Sequence, residues 1–136
     1  MCSSDLGLNV IAAPPGFSGS LINVSLEDVL ASKPDVIIAS DPAFASIVRS
    51  LRGWLEAVAV RNGRIFVPPD LPFGWFDAPP SLNRLLGIQW LARILHPKLF
   101  PEPLGPLIKA FHRLYYHREP TDSQVRALLE IAGISQ

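Results

Sequence analysis

The spacing of hydrophobic and polar positions changes several times along the chain, and each change predicts an element. Residues 7–12 are short and apolar and predict a strand, and residues 13–24, with Pro14, Pro15, Gly16 and Gly19, predict a loop. Ser25-Leu26-Glu27-Asp28 has the form of a capping box, with Leu26, Val29 and Leu30 as the apolar face of the helix it opens. Lys33-Pro34 stops that helix, and the branched run from Asp35 to Ala39 predicts a buried parallel strand. Asp41 caps a second helix with Pro42 at its first position, and Phe44, Ile47, Val48 and Leu51 are expected to face inward. Helix, strand and helix joined by such short connections predict α/β layering.

Between Val58 and Val67 two short β runs flank Arg61-Asn62-Gly63-Arg64. Asn-Gly predicts a hairpin, because both turn residues then take positive φ; a tight turn into a single parallel strand is the alternative. Ile65 to Val67 opens into a loop, Pro68 to Pro80, that holds five prolines together with Phe73, Trp75 and Phe76. A loop between the carboxyl end of a strand and the next helix is where α/β proteins seat ligands. Proline stiffening lowers the entropy its aromatics lose on binding. A surface loop whose aromatics cover the core accounts for the same residues. Ser81 is expected to cap a helix running to about Leu95 and ended by His96-Pro97, apolar around most of its circumference and so packed on two sides. Leu107, Ile108, Phe111, Leu114 and Tyr115 follow helical spacing. Thr121 to Gln124 is a second capping box, with Val125, Leu128, Leu129 and Ala132 as the stripe behind it and Gly133 as the stop.

The 136 residues suffice for one domain with a real core. At 49% hydrophobic and zero formal net charge, the chain is neither disordered by composition nor an electrostatic binder of nucleic acid. One cysteine, Cys2, rules out an internal disulfide framework and a cysteine-rich metal site. His112 and His117 fall on different helix faces and His96 at a helix end, so the histidines do not space as a metal site. No glycine-rich phosphate loop, nucleophile elbow or nucleophile–base pair is visible, so no catalytic residue is assigned and no enzymatic activity is expected. Met1 to Leu6 lacks the basic and apolar regions of a signal peptide. Its Cys-Ser-Ser-Asp-Leu run resembles a translated sequencing adapter. Residues 1–6 are therefore expected to be a read artefact, and the missing signal peptide carries no information about location.

Several stretches together resemble the substrate-binding proteins of ABC transporters of the iron-siderophore and cobalamin type. They are Val24 to Leu30 followed by Lys33 to Ile38, then Ala59 to Val67, Pro72 to Asp77, Pro80 to Gly87 with Trp90 to Ala92, Phe111 to Tyr116, and the leucine-rich last helix. The resemblance spans residues 9–132 and implies two α/β lobes closing on a ligand. Residues 7–136 correspond to the C-terminal lobe only: a three-layer lobe with a mostly parallel central sheet, helices on both faces and an all-helical C-terminal part. The N-terminal lobe of the same protein would be missing.

The resemblance also implies site residues. Glu27 stands where the family has a glutamate that docks into arginines of the permease, as an exposed carboxylate pairs bidentately with arginine. Trp75 stands at the family's cleft aromatic, with Phe73 and Phe76 beside it, suited to the organic shell of a chelate. Arg84, one turn into the helix, would pair with an anionic ligand. The implied function is capture of a chelated metal, a ferric siderophore first, for an ABC permease and its ATPase, with no cofactor of its own. Haem, cobalamin and a molybdate-type oxyanion stand as alternatives. Naked manganese or zinc fits poorly, for want of His and carboxylate clusters. The implied location is periplasmic or lipid-anchored outside the cytoplasm. Two other classes compete: a chelatase-like α/β enzyme, which needs a pocket His or carboxylate of perturbed pKa, and a small interaction module, which needs a contiguous exposed apolar patch.

Overall fold

The computed structural model describes residues 6–18, 21–76 and 81–134. The chain forms two compact units, Met1–Phe66 and Val67–Gln136.

In the first unit, α1 (Leu26–Ser32) begins at a complete capping box: the Ser25 hydroxyl accepts from the Asp28 N–H at 3.1 Å, and the Asp28 carboxylate accepts from the Ser25 N–H at 3.2 Å. Two of the four unpaired N–H groups of the helix start are thereby satisfied. Lys33 takes a left-handed conformation (φ 47°) and ends the helix ahead of Pro34. Then come β1 (Ile37–Ile38), α2 (Pro42–Ile47), two 3₁₀ turns over Val48–Ser50 and Arg52–Glu56, α3 (Val58–Arg61) and β2 (Ile65–Phe66). α2 is capped as its sequence predicts, the Asp41 carboxylate accepting from the Ala43 N–H at 2.8 Å. β1 and β2 pair in parallel, Ile37 with Ile65 and Ile38 with Phe66. Ala39, Val48, Ala57, Val60 and Ile65 form the core of this unit, with Leu30, Ile37, Phe44, Ala45 and Trp54 packed against it. Phe44 meets Trp54 edge-on, with ring centroids 5.1 Å apart.

Four sequence expectations change here. The segment 7–12 forms no strand. The hairpin gives way to its alternative, one parallel strand, entered through the helical turn α3. Arg61 and Asn62 donate to the carbonyls of Ala57 and Val58, and only Gly63 takes positive φ (67°) while Asn62 stays at −84°. A type I′ hairpin needs both residues positive, so this Asn-Gly ends a helix instead of joining two strands. Ile47 and Leu51 are exposed, not inward, and only Val48 is fully buried. The 3₁₀ turn ends at Ser50, and Leu51 already has extended backbone (φ −83°, ψ 112°), so it no longer continues the helical face. The sheet has two strands of two residues, smaller than the central sheet expected. The α/β class itself holds, with a small parallel sheet in a helix-rich chain.

In the second unit every regular element among the described residues is a helix: α4 (Arg84–Leu95), α5 (Leu104–Tyr116) and α6 (Asp122–Ile131). α4 buries Leu86, Gly87, Trp90, Leu91, Ala92 and Ile94, the broad apolar surface its sequence shows. α5 begins at Leu104 and buries Leu104, Ile108 and Phe111. Leu107, Leu114 and Tyr115, expected in that stripe, are exposed, although the Tyr115 ring still lies against Phe111 with centroids 4.7 Å apart. α6 follows prediction throughout: Thr121 and Gln124 make the capping box, Val125, Leu128, Leu129 and Ala132 are buried, and Gly133 turns with φ 67°. The Trp90 indole N–H donates to the Ala132 carbonyl at 3.0 Å, joining α4 to the end of α6 inside the core. Arg93 Nε donates to the Glu102 carbonyl at 3.0 Å and pins the connection between α4 and α5. Among the described residues no helix is long and apolar enough to cross a membrane.

Candidate functional site

The aromatic loop lies in the second unit and is held by its backbone. Asn83, just ahead of α4, has no exposed surface. Its amide nitrogen donates to the Phe73 carbonyl at 2.7 Å, and its amide oxygen accepts from the Tyr116 hydroxyl at 2.8 Å. The Ser81 hydroxyl donates to the Gly74 carbonyl at 3.1 Å and accepts from the Asn83 N–H at 3.2 Å. The Trp75 N–H donates to the Pro69 carbonyl at 3.0 Å, and its indole N–H to the Leu71 carbonyl at 3.3 Å. Backbone groups of three consecutive residues, Phe73, Gly74 and Trp75, are therefore fixed. Gly87 completes the seat: a Cβ there would run into the Trp75 carbonyl, so the loop approaches α4 as closely as it does only because that position has no side chain.

This seat sorts the predicted binding residues. Trp75 is 1% exposed and inside the unit. Phe76 is half-buried and edge-on to Trp90, with centroids 6.1 Å apart. Phe73 is 50% exposed and, with exposed Leu71 and Pro72, forms the tip of the loop. Arg84 is exposed at the first position of α4, next in sequence to Asn83. The helix starts two residues later than expected, with Asn83 and not Ser81 at the cap position, and Ser81 bonds to the loop and to the turn ahead of the helix. Phe73 and Arg84 are thus tied to one junction through Asn83. Glu27 belongs to the first unit, exposed in the first turn of α1. Asp77 and Pro80, which help carry the resemblance, lie outside the described residues.

The residues that organise the junction, Asn83, Tyr116 and Gly87, were not singled out from the sequence. Asn83, and not the expected Ser81, stands at the start of α4, yet it makes no cap bond and its side chain reaches the loop.

Away from this loop, a concavity of about 440 Å³ is lined by Pro103, Gly105, Pro106, Lys109, Asp122, Val125 and Arg126. Its lysine already pairs with its carboxylate, Lys109 Nζ to Asp122 at 2.6 Å, which holds the Asp122 carboxyl below its usual range and raises Lys109. Of the histidines, His112 sits between the Phe111 and Tyr116 rings, with a buried Nε2 that has no hydrogen-bond partner, and burial lowers its pKa. Among the described residues no three His, Cys, Asp or Glu side chains are grouped to hold a metal ion.

No family model matches the chain. The molybdate-binding protein MolA of Haemophilus influenzae is 30% identical over 97 residues, which cover 68% of this chain and 27% of that protein. The solved structure of an ABC transporter solute binding protein from Sulfurospirillum deleyianum is 33% identical, with a TM-score of 0.72 over 79% of this chain and 33% of that one. A periplasmic solute binding protein from Veillonella parvula is 25% identical, with a TM-score of 0.76 over 92% of this chain and 39% of that one. The chain therefore spans from about a quarter to two fifths of the length of the proteins it resembles. The likeness is to ABC-transporter solute-binding proteins, as the sequence motifs imply. Of the ligands expected from those motifs, the names of these three proteins mention molybdate and none mentions a siderophore, haem or cobalamin.

Proposed function

We propose that the chain is the C-terminal lobe of an extracytoplasmic solute-binding protein that delivers a molybdate-type oxyanion to an ABC permease and its ATPase. The observation that carries this reading is the 30% identity to a molybdate-binding protein, alongside the matches to two solved solute-binding structures. It moves the ligand away from the ferric siderophore expected first. The loop supports that move. A chelate with an organic shell needs a broad aromatic platform, but Trp75 is inside the unit, Phe76 is half-buried, and of the three loop aromatics Phe73 alone is exposed. A small dianion needs instead fixed N–H and guanidinium donors, for which Arg84 at the loop–helix junction is the candidate. Glu27 is the candidate for docking to the permease, being exposed in the first turn of α1. Binding and release require no covalent step, so the protein acts as a carrier and not as an enzyme.

Two experiments test this. Resequencing the locus upstream of residue 7 should replace residues 1–6 and continue into a second α/β lobe with a secretion signal; a genuine start codon at Met1 would refute the two-lobe reading. Calorimetric titration of the protein encoded there, with molybdate, tungstate and a ferric hydroxamate, should give heat with the oxyanions. Binding of the ferric chelate alone would return the ligand to the siderophore class.

A further inference from the structure

We propose that Asn83 and Tyr116 are positioning residues that lock the Phe73 loop in its ligand-receiving conformation. Their consequence for affinity rests on the function proposed above; the lock itself does not. A fully buried amide is costly unless both of its ends are paired. Here both ends are used on distant parts of the unit: Nδ2 on the Phe73 carbonyl, ten residues away, and Oδ1 on the Tyr116 hydroxyl, 33 residues away at the last turn of α5. The Phe73 carbonyl can only accept, so it fixes the NH₂ toward the loop and leaves the amide oxygen to accept from the Tyr116 O–H. The Ser81 hydroxyl holds the next carbonyl, Gly74, and the Pro69 carbonyl holds the N–H of Trp75. What this network immobilises is not a core side chain. Its terminal group is the backbone of Phe73, whose ring is half in solvent. Ordering an exposed aromatic costs entropy without burying its ring. A loop fixed beforehand binds more tightly, because that ordering is not charged to the binding step. The structure thus keeps the Phe73 tip preorganised, and Tyr116 acts on it through Asn83.

The test compares wild type with Tyr116→Phe and Asn83→Asp in the full-length protein. Tyr116→Phe removes one oxygen and keeps the ring beside Phe111 and His112. Asn83→Asp keeps the acceptor for Tyr116 and removes the donor to Phe73. Hydrogen exchange followed by mass spectrometry should show residues 70–76 exchanging about ten-fold faster in Tyr116→Phe, with the α6 peptides unchanged. Calorimetry with molybdate should show affinity about three- to ten-fold weaker, from a slower on-rate. Asn83→Asp should loosen the same segment at least as much; should it fail to fold, Tyr116→Phe decides. Unchanged exchange in 70–76 overturns the lock, and so does an equal rise in every segment, which is what a merely structural role predicts. Faster loop exchange with unchanged molybdate affinity overturns the positioning role. If wild type binds no molybdate, the ligand assignment fails while the exchange comparison still decides the lock.

Discussion

Replacing Gly87 by alanine should destabilise the protein, against the usual direction for a helix interior. In an exposed helix the exchange gains about 1 kcal/mol, because alanine loses less backbone entropy. At position 87 the new Cβ would fall onto the Trp75 carbonyl, with the carbonyl carbon at 2.8 Å. The obstacle is backbone, held by the Trp75 N–H on Pro69, so no flexible side chain can swing away. Restoring a carbon–oxygen contact of roughly 3.3 Å moves the loop or the helix by on the order of 1 Å. Such overpacking costs about 1–3 kcal/mol, and more where a buried group is unseated. Trp75 is that group, so a net loss of about 2 kcal/mol is expected, or about 5–10 °C in melting temperature. Circular dichroism melts would measure it, and tryptophan fluorescence would report the shifted indole. Gly105→Ala is the control: its Cβ would meet a Val125 methyl at 3.3 Å and a Leu129 methyl at 3.9 Å, side-chain atoms and not backbone, so its effect should stay within about 0.5 kcal/mol. A Gly87→Ala protein that melts at or above the wild-type temperature, with unchanged fluorescence, would refute the tight seating of the loop.

Trp90→Phe keeps an aromatic ring in the core but leaves the Ala132 carbonyl unpaired, so urea unfolding should show a loss of about 1–3 kcal/mol, with fraying at the end of α6. His112 should make stability depend on mildly acidic pH. Burial lowers its pKa in the folded state, so the unfolded chain takes up the proton first, at the ordinary value of 6.5. Its contribution is intact above 6.5 and is lost as pH falls below it, so melting temperature should drop between about pH 7 and 5, less steeply in His112→Phe. An identical slope in the variant would assign the drop to other groups. Glu27→Ala should leave the unfolding free energy within about 0.5 kcal/mol of wild type, since the residue is exposed. It should also reduce binding-protein-stimulated ATPase activity of the reconstituted transporter, whereas full stimulation would remove Glu27 from the docking surface.

What was legible in the sequence was local. Both capping boxes, the Asp41-Pro42 start and the α6 stripe follow from residues within a few positions of one another, and the structure keeps them all. What was not legible depended on which of two local answers a distant partner selects. Asn62-Gly63 suits both a hairpin and a helix end. Pairing of Ile65 with Ile37, nearly thirty residues earlier, selects the second. The aromatic loop is the same problem at the site. Phe73, Trp75 and Phe76 are equivalent by composition, and alternation alone cannot say which of them is inside. The choice is made by Gly87, twelve positions beyond Trp75, which admits that residue's carbonyl, and by Asn83, which holds Phe73 at the surface. Both residues have ordinary local readings, a weak helix position and a helix cap, and each is at odds with its own segment: the glycine costs helix stability and the asparagine caps nothing. Such local exceptions mark where tertiary demands override propensity. In this chain two of them, at the start of α4, bear on one loop, the loop where the family resemblance also places the ligand.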